Sequence, residues 1–208
     1  MNLNELPYRT LAIVRGTDRH AALRTVLTLA EEGITATEVS LTTPDALWVI
    51  EQARRELGPQ ATLGAGTVLT GEDAARAADA GASFLVTPGL GEDLRHRAAF
   101  ELPMLIGALT PSEVIAASEC GALAVKLFPA SLGGPGYLKA LRDPFPAVPF
   151  VPVGGIDAAL ARAYLAVGAV AVGVGSPLVG DAAGGGDLDA LRERVARWRA
   201  ALTEEVAA

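Results

Sequence analysis

Lys126 is one of only two lysines among the seventeen basic residues of this 208-residue chain. It lies in the apolar stretch 121–129, which has the composition of a β-strand. A primary amine can form an imine with a ketone, whereas a guanidinium cannot. We therefore interpret Lys126 as an imine-forming residue; the alternative is a strand-end lysine that pairs with a carboxylate.

Two further charged residues stand in strand-like stretches. Glu38 alternates with apolar Val39 and Leu41, which predicts that it shares a buried interior with Lys126. Beside an amine whose pKa is lowered by burial, Glu38 would move protons; it could also be a structural partner of the lysine. Arg15 ends the stretch 10–15, where it is either solvated or binds a carboxylate through two parallel hydrogen bonds.

Composition excludes several classes of function. The net charge of −7 disfavours nucleic acid and anionic membranes as partners. A single cysteine, Cys120, excludes an intramolecular disulfide, and the polar N-terminus predicts a cytoplasmic protein without a leader. His20 and His96 are isolated in helical patterns, typical of surface residues, so we expect no metal and no cofactor.

Short β-rich segments alternate with longer helical segments along the whole chain. The predicted strands are 10–15, 35–41, 61–65, 83–86, 104–108, 122–127, 150–153 and 169–174. The predicted helices are 18–32, 44–57, 71–80, 91–99, 111–119, 134–142, 157–166 and 187–206. The last helix has one apolar stripe, formed by Leu188, Leu191, Val195, Trp198 and Leu202.

Eight such units in about 200 residues predict an α/β protein, a (β/α)₈ TIM barrel that forms a single domain over residues 1–208. Glycines 33, 81, 121 and 168 support the repeat, because each has the position of a helix C-cap shortly before a strand. An open doubly wound sheet is the alternative fold.

Side-chain alternation predicts which residues face the barrel axis. In the sixth strand Ala122, Ala124 and Lys126 would face inward, while Leu123, Val125 and Leu127 would face the helices. In the second strand Glu38 and Ser40 would face inward. Both predicted catalytic side chains then lie near the C-terminal strand ends, where active sites of this fold form.

Glycine-rich segments follow the third, seventh and eighth strands. The last two, Pro152-Val-Gly-Gly-Ile156 and Gly173-Val-Gly-Ser176, predict a phosphate site made of backbone N–H groups, because the corresponding loops commonly bind phosphate in this fold. Gly64-Ala-Gly-Thr67 allows close backbone approach and offers a hydroxyl, although a simple turn explains it equally well.

Six segments together resemble the 2-keto-3-deoxy-6-phosphogluconate and -galactonate aldolases. They are Glu38-Val-Ser-Leu-Thr-Thr43, Gly64-Ala-Gly-Thr-Val-Leu69, Val86-Thr-Pro-Gly89, Val125-Lys-Leu-Phe-Pro129, Val153-Gly-Gly-Ile156 and Gly173-Val-Gly-Ser176. The similarity implies a lysine-dependent lyase that splits a six-carbon 2-keto-3-deoxy-6-phospho sugar acid into pyruvate and glyceraldehyde 3-phosphate, in sugar-acid breakdown of the Entner–Doudoroff type. It also implies a homotrimer.

The resemblance assigns roles to individual residues. Lys126 matches the Schiff-base lysine and Glu38 the general acid/base. The matched substrate-binding residues are Thr67 and Pro88 in the pyruvyl pocket, Phe128 beside the lysine, and Gly154, Gly155, Gly175 and Ser176 at the phosphate, with Arg15 as the carboxylate ligand and Val153 near the C4 hydroxyl.

Two positions bear on the C4 epimer. Gluconate-type members often carry arginine in place of Thr42 and threonine in place of Val153, and the galactonate-type enzymes are more similar to this chain at both. Either epimer, or both, remains open. The rival functions are a phosphosugar isomerase or epimerase, in which Lys126 only polarises a carbonyl, and a non-catalytic barrel that binds a phosphorylated ligand.

Overall fold

The computed structural model describes residues 1–95 and 102–203. Eight parallel strands pair in the order β7-β6-β5-β4-β3-β2-β1-β8. They are β1 Thr10–Val14, β2 Ala36–Ser40, β3 Thr62–Gly66, β4 Phe84–Val86, β5 Met104–Ala108, β6 Ala124–Leu127, β7 Phe150–Pro152 and β8 Val172–Val174. A bridge between Val153 and Gly173 brings β7 to β8, so the sheet is a nearly closed barrel. The predicted fold is confirmed.

Helices alternate with the strands. They are α1 Arg19–Glu31, α2 Ala46–Leu57, α3 Gly71–Asp79, α4 Glu92–Arg95, α5 Pro111–Glu119, α6 Gly134–Arg142, α7 Ala158–Ala166, α8 Ser176–Val179 and α9 Leu188–Thr203. Short 3₁₀ turns cover Leu3–Glu5, Pro7–Arg9, Ala130–Leu132 and Ala182–Gly184. Among the helices described, α8 was not predicted. Residues 96–99 and 204–206 of two predicted helices, with His96, lie outside the described residues.

The four predicted helix caps are confirmed. Gly33, Gly81, Gly121 and Gly168 have φ of 86°, 93°, 68° and 94°, a left-handed conformation that costs glycine little. At the end of α1, the Gly33 N–H donates to Ala30 and the Ile34 N–H to Leu29, which satisfies carbonyls that the helix leaves free. Each cap reverses the chain into the next strand.

Two apolar cores lie on opposite faces of the barrel wall. The larger packs outward-facing strand residues against the helices, and the stripe on α9 contributes to it with Leu191, Val195, Trp198 and Leu202. The smaller fills the barrel, where Phe84, Leu105, Ala124 and Val151 meet Leu3 and Leu6 from the N-terminal turns. The N-terminus thus packs against the apolar residues inside the barrel, while the polar residues cluster at the other end.

The alternation predicted for β6 holds only within the strand. Ala124 and Lys126 face inward, and Val125 and Leu127 pack against the helices. The prediction for the two preceding residues was wrong: Ala122 packs with the outer core and Leu123 with the inner one. Both precede the first residue of β6, so strand periodicity does not govern them.

Within residues 1–95 and 102–203, no helix is long and apolar enough to cross a membrane.

Candidate active site

Lys126 and Glu38 share the barrel interior. Lys126 is 6% exposed and Glu38 is 2% exposed. Lys126 is the third residue of β6, and Glu38 the third of β2. Among the described residues, no ion pair within 4.0 Å joins Lys126 and Glu38. Oε2 of Glu38 is buried without a hydrogen-bond partner. Two ionisable groups therefore lie near the barrel mouth without neutralising each other directly.

Burial shifts the pKa of each group in the direction that favours its neutral form. It raises the pKa of the Glu38 carboxyl above its usual range, and nearby Lys126 and Arg15 oppose this only in part. Burial lowers the pKa of the Lys126 ammonium, Glu38 opposes this, and Arg15 lowers it further. A lowered pKa makes the nucleophilic neutral amine more abundant at neutral pH.

Inward-facing glycines make room for these groups. A Cβ on Gly66 would lie 2.5 Å from Glu38 Oε1, and a Cβ on Gly64 would lie 2.5 Å from atoms of the Phe84 ring. Ordinary carbon contacts are about 3.5–4.0 Å. The glycines of Gly64-Ala-Gly-Thr67 are therefore needed inside β3 itself, beyond any role in a turn.

Pro88 lies against β5, the neighbour of the strand that carries the lysine. Gly107 of β5 pairs with Lys126 in the sheet register. A Cβ on Gly107 would lie only 2.1 Å from the Pro88 carbonyl oxygen, so the absence of a side chain lets the Pro88 backbone cross the end of β5. The Gly107 N–H also donates to Thr87 Oγ1 at 3.1 Å. Pro88 therefore adjoins the β5–β6 rim.

Arg15 and Thr67 are connected through Ser40. Arg15 Nε donates to Ser40 Oγ at 3.4 Å, and Ser40 Oγ is 2.9 Å from Thr67 Oγ1 and 2.8 Å from Thr42 Oγ1. The Gly16 N–H donates to Thr43 Oγ1, which ties the end of β1 to the loop after β2. Thr67 has a φ of 61°, unusual for a β-branched residue.

A cleft of about 290 Å³ opens beside the lysine. Seven of the predicted substrate-binding residues line it: Arg15, Phe128, Val153, Gly154, Gly155, Gly175 and Ser176. Phe128 joins the cleft to the barrel interior, because Lys126 Nζ lies 5.2 Å from its ring centroid. The predicted anion-binding residues therefore line a cleft that adjoins the predicted imine-forming lysine.

Sequence reasoning missed some of the wall of this cleft. Ile13, Pro177, Val179 and Gly180 also line it. Ile13 is two residues before Arg15 on β1, so strand alternation could have identified it. The other three follow β8 in and after α8, a turn of helix too short to leave a periodic signal.

A second cleft, of about 310 Å³, lies beside the start of α2. Asp45, Trp48, Asp73 and Arg76 are among its lining residues. Lys126 and Glu38 line neither cleft, and we assign the chemistry to the smaller one because Phe128, in its wall, lies 5.2 Å from Lys126 Nζ. Across residues 1–95 and 102–203, no three His, Cys, Asp or Glu side chains cluster to hold a metal, and independence from metal stays a prediction.

The family model of the KDPG and KHG aldolases matches residues 5–193. The chain belongs to the KDPG and KHG aldolase family. Relatives include 2-dehydro-3-deoxy-phosphogluconate aldolase of Pseudomonas aeruginosa, 43% identical over 67% of this chain and 64% of that protein. A probable 2-dehydro-3-deoxy-6-phosphogalactonate aldolase of Rhizobium meliloti is 35% identical over 86% and 85%.

Solved structures of this aldolase family have the same fold. The native KDPGal structure aligns with a TM-score of 0.88 and 30% identity over 98% of both chains. The KDPG aldolase of Legionella pneumophila, with pyruvate captured as a covalent carbinolamine, aligns with a TM-score of 0.77 and 30% identity over 94% of this chain and 90% of that one.

Proposed function

We propose that this aldolase cleaves a 2-keto-3-deoxy-6-phospho sugar acid into pyruvate and glyceraldehyde 3-phosphate through an imine at Lys126. The observation that carries the proposal is the buried amine of Lys126 in the barrel, together with buried Glu38, whose Oε2 has no hydrogen-bond partner. The covalent carbinolamine captured in the Legionella pneumophila relative supports amine chemistry in this family.

The mechanism begins with the neutral amine. Lys126 Nζ attacks the C2 ketone, the carbinolamine loses water, and a cationic iminium forms. Glu38 takes the proton of the C4 hydroxyl, directly or through a water, while the C3–C4 bond breaks and its electrons flow into the iminium. The aldehyde leaves, the resulting enamine takes a proton at C3, and hydrolysis releases pyruvate and the free lysine.

The two anionic ends of the substrate need separate binding sites on this acidic chain. We assign the carboxylate to Arg15, whose guanidinium lies on the cleft close to the β2–β3 hydroxyls. We assign the phosphate to the backbone of Gly154, Gly155, Gly175 and Ser176. Gly154 and Gly155 have φ of 108° and 70°, conformations in which successive N–H groups can form an anion-binding concavity.

The C4 epimer depends on Val153, whose side chain faces inward and is 5% exposed. One of its methyl groups would lie 2.6 Å from a Cβ on Gly173, so it fills the barrel beside β8 and offers no hydroxyl. We propose that the galactonate-type epimer is a substrate, with cleavage of both epimers retained. The 43% identity to a gluconate-type enzyme and the 0.88 TM-score to a KDPGal structure are both compatible with dual activity.

The test is an assay of pyruvate release from the two C4-epimeric phosphorylated acids, side by side. We expect turnover of the galactonate type at least equal to that of the gluconate type, and none with Lys126→Arg. Release from neither acid would overturn the proposed function. An isomerase or epimerase would convert a phosphosugar without releasing pyruvate. The homotrimer and the cytoplasmic location remain predictions.

A further inference from the structure

Ser40 lies between two predicted ligands of the pyruvyl end. It is the last residue of β2, its side chain is fully buried, and β2 lies between β1 and β3 in the sheet. Arg15 directly follows β1 and Thr67 directly follows β3. The inward residue at the end of β2 is therefore placed to contact both.

The Ser40 hydroxyl is limited in the hydrogen bonds that it can donate and accept. A serine hydroxyl has one proton and two acceptor lone pairs, whereas a guanidinium can only donate. Ser40 Oγ therefore accepts from Arg15 Nε and from the Thr42 backbone N–H, both at 3.4 Å, and its own proton goes to Thr42 Oγ1 or Thr67 Oγ1. Engaging Nε leaves the two terminal Arg15 nitrogens free for a carboxylate.

We propose that Ser40 is a positioning residue that holds Arg15 in the arrangement needed to bind the pyruvyl carboxylate. An exposed arginine has many rotamers, and fixing them before the ligand arrives reduces the entropy lost on binding. The buried hydroxyl fixes one nitrogen of an otherwise exposed side chain. This inference rests on the proposed function, because it assumes that a 2-keto acid binds at Lys126.

The test measures borohydride trapping of pyruvate as a function of pyruvate concentration. Ser40→Ala should raise the half-saturating pyruvate concentration about three- to tenfold, less than a well-formed hydrogen bond to a charged group would give, because 3.4 Å is long. The trapping rate at saturating pyruvate should stay near that of the wild type. Ser40→Thr should restore half-saturation, and Ser118→Ala, whose hydroxyl donates to the Val114 carbonyl within α5, is a serine-to-alanine control away from the site.

A double-mutant cycle separates positioning from general damage to the barrel. In an Arg15→Met background, Ser40→Ala should change half-saturation less than twofold, because no guanidinium remains to be held. Ser40→Cys, nearly the same size and a poor acceptor, supplies a second variant if the alanine form does not fold.

Equal effects of Ser40→Ala with and without Arg15, or unchanged half-saturation in both the alanine and cysteine variants, would overturn the positioning role. If the wild type itself traps no pyruvate at Lys126, the proposed function fails first, so the two failures are distinguishable.

Discussion

A substitution at Gly66 can displace Glu38, the predicted general acid/base, without changing the chemistry of its side chain. In Gly66→Ala the new methyl group would lie 2.5 Å from Glu38 Oε1 and 2.8 Å from its carboxyl carbon. Relief to an ordinary contact requires the carboxylate to move by roughly 1 Å. A misplacement of about 1 Å can lower turnover by about 10²-fold when a group must meet a reacting atom. We expect kcat to fall by about that factor.

Gly64→Ala is the matched control on the same strand. Its methyl group would lie 2.5 Å from the Phe84 ring, which is fully buried, so the fold meets a comparable overpacking cost of about 1–3 kcal/mol. Gly136→Ala on α6 meets nothing within 4 Å and should be neutral or slightly stabilising. Urea unfolding and steady-state kinetics of all three variants provide the comparison.

The expected pattern is similar stability for the Gly66 and Gly64 variants but a much larger loss of kcat for Gly66→Ala. Because only Gly66→Ala displaces Glu38, equal losses of kcat in both variants would contradict this prediction. So would wild-type kcat in a folded Gly66→Ala protein.

Four further outcomes are expected. Glu38→Gln should fold yet lower kcat by about 10²- to 10⁴-fold in the cleavage assay, and normal turnover would make Glu38 merely structural. Because burial raises the folded pKa of Glu38 above the unfolded value, wild type should lose stability relative to Glu38→Gln as pH rises from about 4; urea titrations would contradict this if the difference were constant. Arg15→Met should weaken pyruvate trapping, while a bulky residue at Gly155 should impair only cleavage of the phosphorylated acid. Equal defects in both assays would contradict the assignment of two separate anion sites. Exhaustive chelation should leave turnover intact. Turnover that is lost on chelation and restored by a divalent ion would show a metal requirement.

Much of the fold follows from local sequence patterns. The alternation of β-rich and helical segments, punctuated by capping glycines at 33, 81, 121 and 168, predicted eight strands within a few residues of their positions. The inward direction of Lys126 and Glu38 also followed, because both lie inside strands where alternate side chains face opposite sides. The strand period thus located both predicted catalytic residues.

The remainder depends on contacts between distant segments. Ser40 was predicted to face inward, but its contacts with Arg15 and Thr67 depend on the register of three strands. The left-handed backbone of Thr67 likewise has no signature in residue type. Ala122 and Leu123 were placed wrongly because only the hydrogen-bond register shows where β6 begins. Glycines inside strands can be read directly from the sequence, yet the atoms that they accommodate come from neighbouring strands.

Peptide mapping after pyruvate and borohydride treatment tests directly whether Lys126 forms the covalent imine. The only other lysine, Lys139, is exposed on α6 and provides an internal control for nonspecific modification. We predict one reduced adduct per chain, located at Lys126 and absent in Lys126→Arg. An adduct at Lys139, or none on the active protein, would contradict it.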